Sequence, residues 1–423
     1  MIRLTVQDFS CIADADLEFG RFNVLIGPQA SGKSVLSKLA YFFIELLSDQ
    51  YDSILEQKSY EHFTEEIKTR FSDWFPVPAW GKKKFKIHFE LGDYKMKLTR
   101  TSYDESIKNN LRFWASPLVK EHYKRTVELA KEFRQKSSKR SQAPYLEYEL
   151  NWQIQQAATR LLQKDLGDDF VFYQTFVPAG RSFFTTLGRA FMAFDQGRAL
   201  DPITVRFGRL YSSFHDESRF LNRGNRTVRV DRELAALLGG TITWEGDRPC
   251  LLSDDGRTVP FGALSSGQQE LLPLIIAIGA LRNLPTPKSE PRQHMLYIEE
   301  PEAHLFPSAQ SRLVQGLAAL VGGTQQRRLL ITSHSPYVLS KVNNLIKAGS
   351  LEQSLPADRQ PKLDAIIPKS FRIKPGAARA YAIVDGTLKP LLDEDGLIAA
   401  DYLDSISNDI GQEFSSLLGL EFA

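Results

Sequence analysis

From Ile2 to Val6 apolar and polar side chains alternate, and Ala15–Phe19 does so again before the mostly apolar run Phe22-Asn-Val-Leu-Ile26. Successive side chains on a strand point to opposite faces, so alternation predicts a half-buried strand and a short apolar run predicts one buried on both faces. Glycines then interrupt the pattern, and Val35–Leu47 takes up helical spacing. Residues 85–100 alternate around Gly92-Asp93, with Phe85, Ile87 and Phe89 answered by Tyr94, Met96 and Leu98, which predicts a hairpin. From about 104 to 165 Lys, Arg, Glu and Gln dominate at helical spacing, so 101–168 reads as a helical insertion. Strand pattern returns over Val171–Val177, 183–222 reads as helix, and 226–262 reads as short strands joined by glycine turns. A helix over 266–282, a proline-rich link over 284–291, a strand over 295–299, a helix over 307–320, a strand over 328–332 and a helix over 336–347 follow. Ala378–Val384 and Thr387–Leu391 predict a late hairpin, with an acidic helix over 398–418 after it. Strands alternating with helices imply an α/β fold with a mixed, largely parallel sheet, fronted by an antiparallel N-terminal β subdomain. The expected organisation is 1–100, the insertion 101–168, a second core segment 169–348 and a C-terminal hairpin and helix over 349–423.

Composition removes some alternatives. The chain has 423 residues, room for two or three lobes, and a net charge of +2, so any nucleic-acid surface must be a local patch. Cys11 and Cys250 are far apart, without the spacing of a cysteine-based zinc site or a disulfide framework, as suits a reducing cytosol. The longest apolar run, Leu271 to Leu281, is broken by Pro273 and falls short of the about 20 residues that span a bilayer. The opening residues lack the charged-then-apolar plan of a signal peptide. A soluble, cytoplasmic protein without a membrane partner is expected.

Four motifs carry the chemistry. Gly27-Pro28-Gln29-Ala30-Ser31-Gly32-Lys33-Ser34 is a complete G-x-x-x-x-G-K-S between a strand and a helix. Its glycines let backbone N–H groups turn inward around phosphate oxygens at a helix start, with Lys33 reaching the β- and γ-phosphates and Ser34 ligating Mg²⁺. The expected ligands are therefore ATP and Mg²⁺. Met295-Leu-Tyr-Ile298 runs into Glu299-Glu300-Pro301, an apolar strand ending in two carboxylates. Alternation sends the two to different tasks: Glu299 to the metal shell, through water, and Glu300 to activating the attacking water. Leu264-Ser265-Ser266-Gly267-Gln268-Gln269-Glu270 opens a predicted helix, where Ser265 and the Gly267 backbone form an anion-binding start. Leu329-Leu-Ile-Thr-Ser-His334-Ser-Pro336 ends a strand on a turn that presents one histidine.

The third motif resembles the L-S-G-G-Q signature of ABC-type ATPases, with Ser266 where the first glycine usually stands. P-loop, signature, carboxylate strand and histidine turn, in that order along the chain, make it similar to a P-loop ABC-type ATPase head over residues 1–50 and about 170–345. That resemblance implies a head-to-tail pair of heads, with Ser265, Ser266, Gly267 and Gln268 of one copy on the γ-phosphate held by the other. It implies that His334 is the switch histidine beside the γ-phosphate and that Gln174, in Tyr173-Gln174-Thr175, touches Mg²⁺. Val177-Pro-Ala-Gly-Arg181-Ser resembles a segment of the OLD-like (overcoming-lysogenization-defect) ATPases, in which Arg181 faces phosphate or the partner subunit, unless it is a surface arginine after a turn. His304, in Pro301-Glu-Ala-His304-Leu-Phe-Pro307, either pairs with the other subunit's site or caps the helix that follows.

The same segments look more like OLD, RecF and related bacterial ATPases than like transporter subunits. After His334 there is no Asp-x-Asp at a strand end of the kind a metal-dependent nuclease needs: Asp393-x-Asp395 falls in a turn, and Asp401 and Asp404 on one helical face. An ATPase core without an effector resembles stand-alone anti-phage ATPases of PtuA-like or AriA-like type, whose effector nuclease is a second polypeptide; the alternative is a RecF-like DNA-repair ATPase. Lys124, Arg125, Lys131, Arg134, Lys136 and Lys139, between residues 120 and 140, offer either a DNA-contacting stripe or a solvated helix face.

Overall fold

The computed structural model describes residues 1–101, 111–137, 144–188, 190–191, 200–222, 232–246, 248–283, 293–322, 327–398, 412 and 415. The opening alternation forms β1 (Ile2–Phe9) and β2 (Ile12–Phe19), and the apolar run forms β3 (Phe22–Ile26). Helix α1 (Lys33–Leu55) begins on the phosphate-loop lysine itself. The hairpin of 85–100 appears as β4 (Lys86–Leu91) and β5 (Tyr94–Arg100). Helix α2 (Tyr60–Trp74) precedes it. Beyond it come β6 (Leu111–Ala115), α3 (Pro117–Ser137), α4 (Pro144–Leu166) and β7 (Val171–Val177). Then follow α5 (Ser182–Leu187), α6 (Pro202–Asn222) and a small sheet of β8 (Gly240–Glu245), β9 (Arg248–Ser253) and β10 (Thr258–Pro260). The later elements are α7 (Ser266–Asn283), β11 (Gln293–Glu299), α8 (Pro307–Gly322), β12 (Arg327–Ser333), α9 (Pro336–Ser354) and α10 (Gln360–Ile366), closed by β13 (Ala378–Val384) and β14 (Thr387–Pro390).

One sheet of eleven strands runs in the order β6-β5-β4-β1-β2-β14-β13-β3-β12-β11-β7. Its core β13-β3-β12-β11-β7 is parallel throughout, and the wing β6-β5-β4-β1-β2 is antiparallel. The mixed α/β architecture expected from the pattern is the one observed. Alternation along β3 serves two cores: Leu25 packs with α1 and the wing, while Phe22, Val24 and Ile26 pack with α7, α8 and α9 on the opposite face.

Three expectations change. Leu111–Ala115 is not helical but the edge strand of the wing. The helices after it do not form a separate lobe, because Val119, Tyr123, Ala130, Ile154 and Ala158 share one core with Ile2, Leu4 and Phe43. The late hairpin is no appendage: β13 enters the sheet parallel to β3, pairing Ala382 with Ile26 at the lip of the phosphate loop. The acidic helix over 398–418 lies outside the described residues, apart from Ile398, Gln412 and Ser415.

Two buried histidines set an acid limit on this fold. Burial, with the nearby Arg125 charge adding to it, depresses His122 to about 4 despite Asp165 at 4.0 Å, and burial beside Arg327 depresses His294 to about 4. Their folded pKa values lie below the ordinary imidazole value, so the unfolded chain binds more protons as pH falls through about 6.5. Stability is fully present above that pH and declines towards pH 4, by at most about 3 kcal/mol per histidine. Urea unfolding between pH 7 and pH 4.5 should show the decline, and His122→Gln with His294→Gln should flatten it. An equal slope in the double variant contradicts this assignment.

Candidate functional site

The phosphate loop joins β3 to α1. Gly32 takes a left-handed φ of 106° and lies so close to Ile12 that a Cβ there would meet its Cδ1 at 2.3 Å. At Gly27 a Cβ would meet the Ser31 hydroxyl at 2.9 Å and the Ile383 carbonyl of β13 at 3.0 Å. No side chain caps α1 and no acid stands in its first turn, so its leading N–H groups and positive dipole end are free to face an anion. Lys33 is buried, and its ammonium donates to the Gly27 and Pro28 carbonyls at 2.8 Å each, which leaves the third N–H. Burial lowers its pKa, opposed by Glu300, Glu302 and Glu299. The charges of three carboxylates therefore reach the loop lysine without pairing with it directly.

Two of them sit where β11 ends. Glu299 is buried, one carboxylate oxygen accepting from the Ala179 N–H at 3.2 Å. Its other oxygen makes no full hydrogen bond; burial raises its pKa, and the Ser34 hydroxyl is the strongest influence towards the charged form. A buried carboxylate oxygen beside a serine hydroxyl suits a hydrated Mg²⁺. Among the described residues no three His, Cys, Asp or Glu gather into a metal site, so a cation here would take most of its ligands from phosphate and water. Glu300 departs from the strand with a left-handed φ of 43°, its N–H donating to the Thr332 carbonyl at 2.9 Å. That turn brings its carboxylate to 3.1 Å from His334 Nε2.

Glu302, which sequence reasoning left without a role, fixes the histidine. The buried carboxylate accepts from the Ser333 hydroxyl at 2.6 Å and the His334 N–H at 2.9 Å. Its place as third acid of Glu-Glu-Pro-Glu was the available signal.

Arg181 does not face phosphate or a partner. It is fully buried, and its guanidinium donates to the carbonyls of Glu270 (2.7 Å), Glu299 (2.8 Å), Glu300 (3.0 Å), Pro178 (3.3 Å) and Pro301 (3.3 Å). It also lies 3.6 Å from the Glu270 carboxylate, so it binds the Ser265 helix to the turn after β11. Gln174 is not placed at the strand end beside Glu299. It pairs with Met295, four residues before Glu299, donates to the Tyr41 carbonyl at 3.1 Å and accepts from the Tyr297 hydroxyl at 2.9 Å.

Ser265 caps α7. Its hydroxyl accepts from the Gln268 N–H at 3.4 Å while the Gln268 side-chain oxygen accepts from the Ser265 N–H at 3.2 Å, a reciprocal capping box. Ser265 and Ser266 stay exposed. Gly267 is packed so that a Cβ would meet the His304 carbonyl at 2.9 Å, which seats the helix start on the loop after the carboxylates. His304 itself has a left-handed φ of 59°.

A family model for an AAA ATPase domain matches residues 1–339. No curated protein matches the chain. Among solved structures it is similar to the SMC head domain from Thermotoga maritima at 12% identity, covering 92% of this chain and 97% of that one, with a TM-score of 0.36. It is also similar to a Pyrococcus yayanosii Smc head domain with a coiled coil and joint, at 10% identity over 96% of this chain and 100% of that one, TM-score 0.39. Likenesses this loose bear on neither function nor partners. Among the described residues no helix is long and apolar enough to cross a membrane.

Proposed function

Because the chain belongs to the AAA ATPase domain family, we propose that it binds ATP with Mg²⁺ around Lys33 and hydrolyses it between two copies of the head. The observation that carries this is the contact of Glu300 with His334 at the ends of β11 and β12, one strand away from the phosphate loop. The first N–H groups of α1 and the third N–H of Lys33 hold the phosphates, and Ser34 with Glu299 holds Mg²⁺. The cation, when bound, offsets charge developing on the phosphates. Glu300 takes the proton of the attacking water while His334 orients the carboxylate and bonds the γ-phosphate. Ser265 and Ser266, exposed at the start of α7, and the Gly267 backbone meet that phosphate from the opposite copy.

Lys33→Ala tests the pocket. Binding of a fluorescent ATP analogue should weaken about a hundred-fold, the loss of a charge-assisted phosphate contact at a buried position. Affinity within a factor of two of the parent would refute the assignment.

In the same reading the paired heads regulate an effector nuclease encoded nearby, as stand-alone anti-phage ATPases of OLD-like type do. Its support is the resemblance of 264–270 and 299–307. Co-purification with products of neighbouring genes, with and without ATP, should retain one partner in a nucleotide-dependent way; retention of none contradicts it.

A further inference from the structure

The wing has an outer face that the ATPase site does not use. Ile87, Phe89, Met96, Leu98 and Leu111 point into the core, so alternation turns Lys86, His88 and Glu90 of β4, Lys95, Lys97 and Thr99 of β5, and Arg112 and Trp114 of β6 outward. The register sets Lys97 between His88 and Trp114, and Thr99 between Lys86 and Arg112. His88, Lys95, Lys97, Thr99, Arg112 and Trp114 line one open depression of about 500 Å³. Trp114 is 51% exposed, an unusual state for a large aromatic side chain. Within β4-β5-β6 the outward acid is Glu90, 3.8 Å from Lys95, and beyond β1 the same side of the wing carries Asp14, Asp16 and Glu18 of β2; Lys86, Lys97 and Arg112 have no carboxylate within 4 Å among the described residues.

The helical stripe suggested by sequence is used in part within the fold. Arg125 is paired with Asp165, Arg134 donates to the Leu55 carbonyl at 2.6 Å, and Lys120 lies over the Tyr60 ring at 5.4 Å. Lys124, Lys131 and Lys136 of that stripe remain exposed, and Lys139 lies outside the described residues.

We propose that the outer face of β4-β5-β6 binds an unpaired nucleic-acid strand, with phosphates on Lys86, Lys97 and Arg112 and a base stacked on Trp114. Charge complementarity selects a polyanion. The exposed indole selects bases whose faces are free, since a duplex hides them and an acidic polypeptide has none. The proposal does not depend on hydrolysis.

The test is anisotropy of a labelled 20-nucleotide oligothymidylate with the full chain, without ATP. Binding should weaken with salt with a log–log slope of about −2, from three phosphate contacts at about 0.7 each. Trp114→Ala should lower affinity about ten-fold at unchanged slope and unchanged basal ATPase activity. Lys97→Ala with Arg112→Ala should cut the slope by about 1.4. The proposal is overturned if the oligonucleotide does not bind, if Trp114→Ala binds it as well as the parent, or if duplex DNA or polyglutamate competes as well as the unlabelled strand.

Discussion

Glu300→Gln is expected to lower kcat by about 10²–10⁴-fold, the usual contribution of a positioned general base, with ATP affinity kept. The amide is nearly isosteric and still hydrogen-bonds His334, so the turn with φ of 43° persists. What disappears is the proton acceptor. The variant should therefore accumulate with ATP in place, and light scattering should show paired heads with ATP and single heads without it. Turnover within three-fold of the parent would remove Glu300 from the chemistry.

Arg181 should be the most damaging position outside the reacting groups. Arg181→Met leaves buried carbonyls unbonded and the Glu270 carboxylate, 4% exposed, without its counter-charge. Removing one member of such a buried pair costs about 3–5 kcal/mol. Arg181→Lys keeps the charge but offers three donors to carbonyls on three segments, and each buried carbonyl left over costs about 1–3 kcal/mol. Because Glu299, Glu300 and Pro301 all lose their anchor, kcat should fall well beyond any change in KM for ATP. Urea unfolding and steady-state turnover measured together decide this. A Lys variant with parental stability and kcat would contradict the pinning role.

How much of this was legible in the sequence depends on distance along the chain. The phosphate loop, the Glu299-Glu300 strand end and the His334 turn are local patterns, each a strand followed by its functional turn. Depth along a strand was not legible. Gln174 has the right residue type on the right strand but stands beside Met295 rather than Glu299, so its amide is spent on Tyr41 and Tyr297. Arg181 reads as a surface residue after a turn because its carbonyl partners come from segments about 90 and 120 residues away; only their convergence buries it, satisfying a charge that is otherwise costly to desolvate. Leu111–Ala115 is short and sits in a charged neighbourhood, and its strand conformation comes from pairing with β5. The place of β13 beside β3 is likewise a long-range choice, invisible in its own alternation.

Two variants, each inactive alone, give the most direct measurement. Lys33→Ala lacks a working phosphate loop, and Ser265→Arg blocks the start of α7. If catalysis needs the loop of one copy and the helix start of another, an equimolar mixture forms mixed pairs with one intact site. Such a mixture should regain about a quarter of parental turnover, since half of random pairs are mixed and each has one of two sites whole. Turnover that stays at the level of the separate variants at every mixing ratio would show that no site is shared between copies.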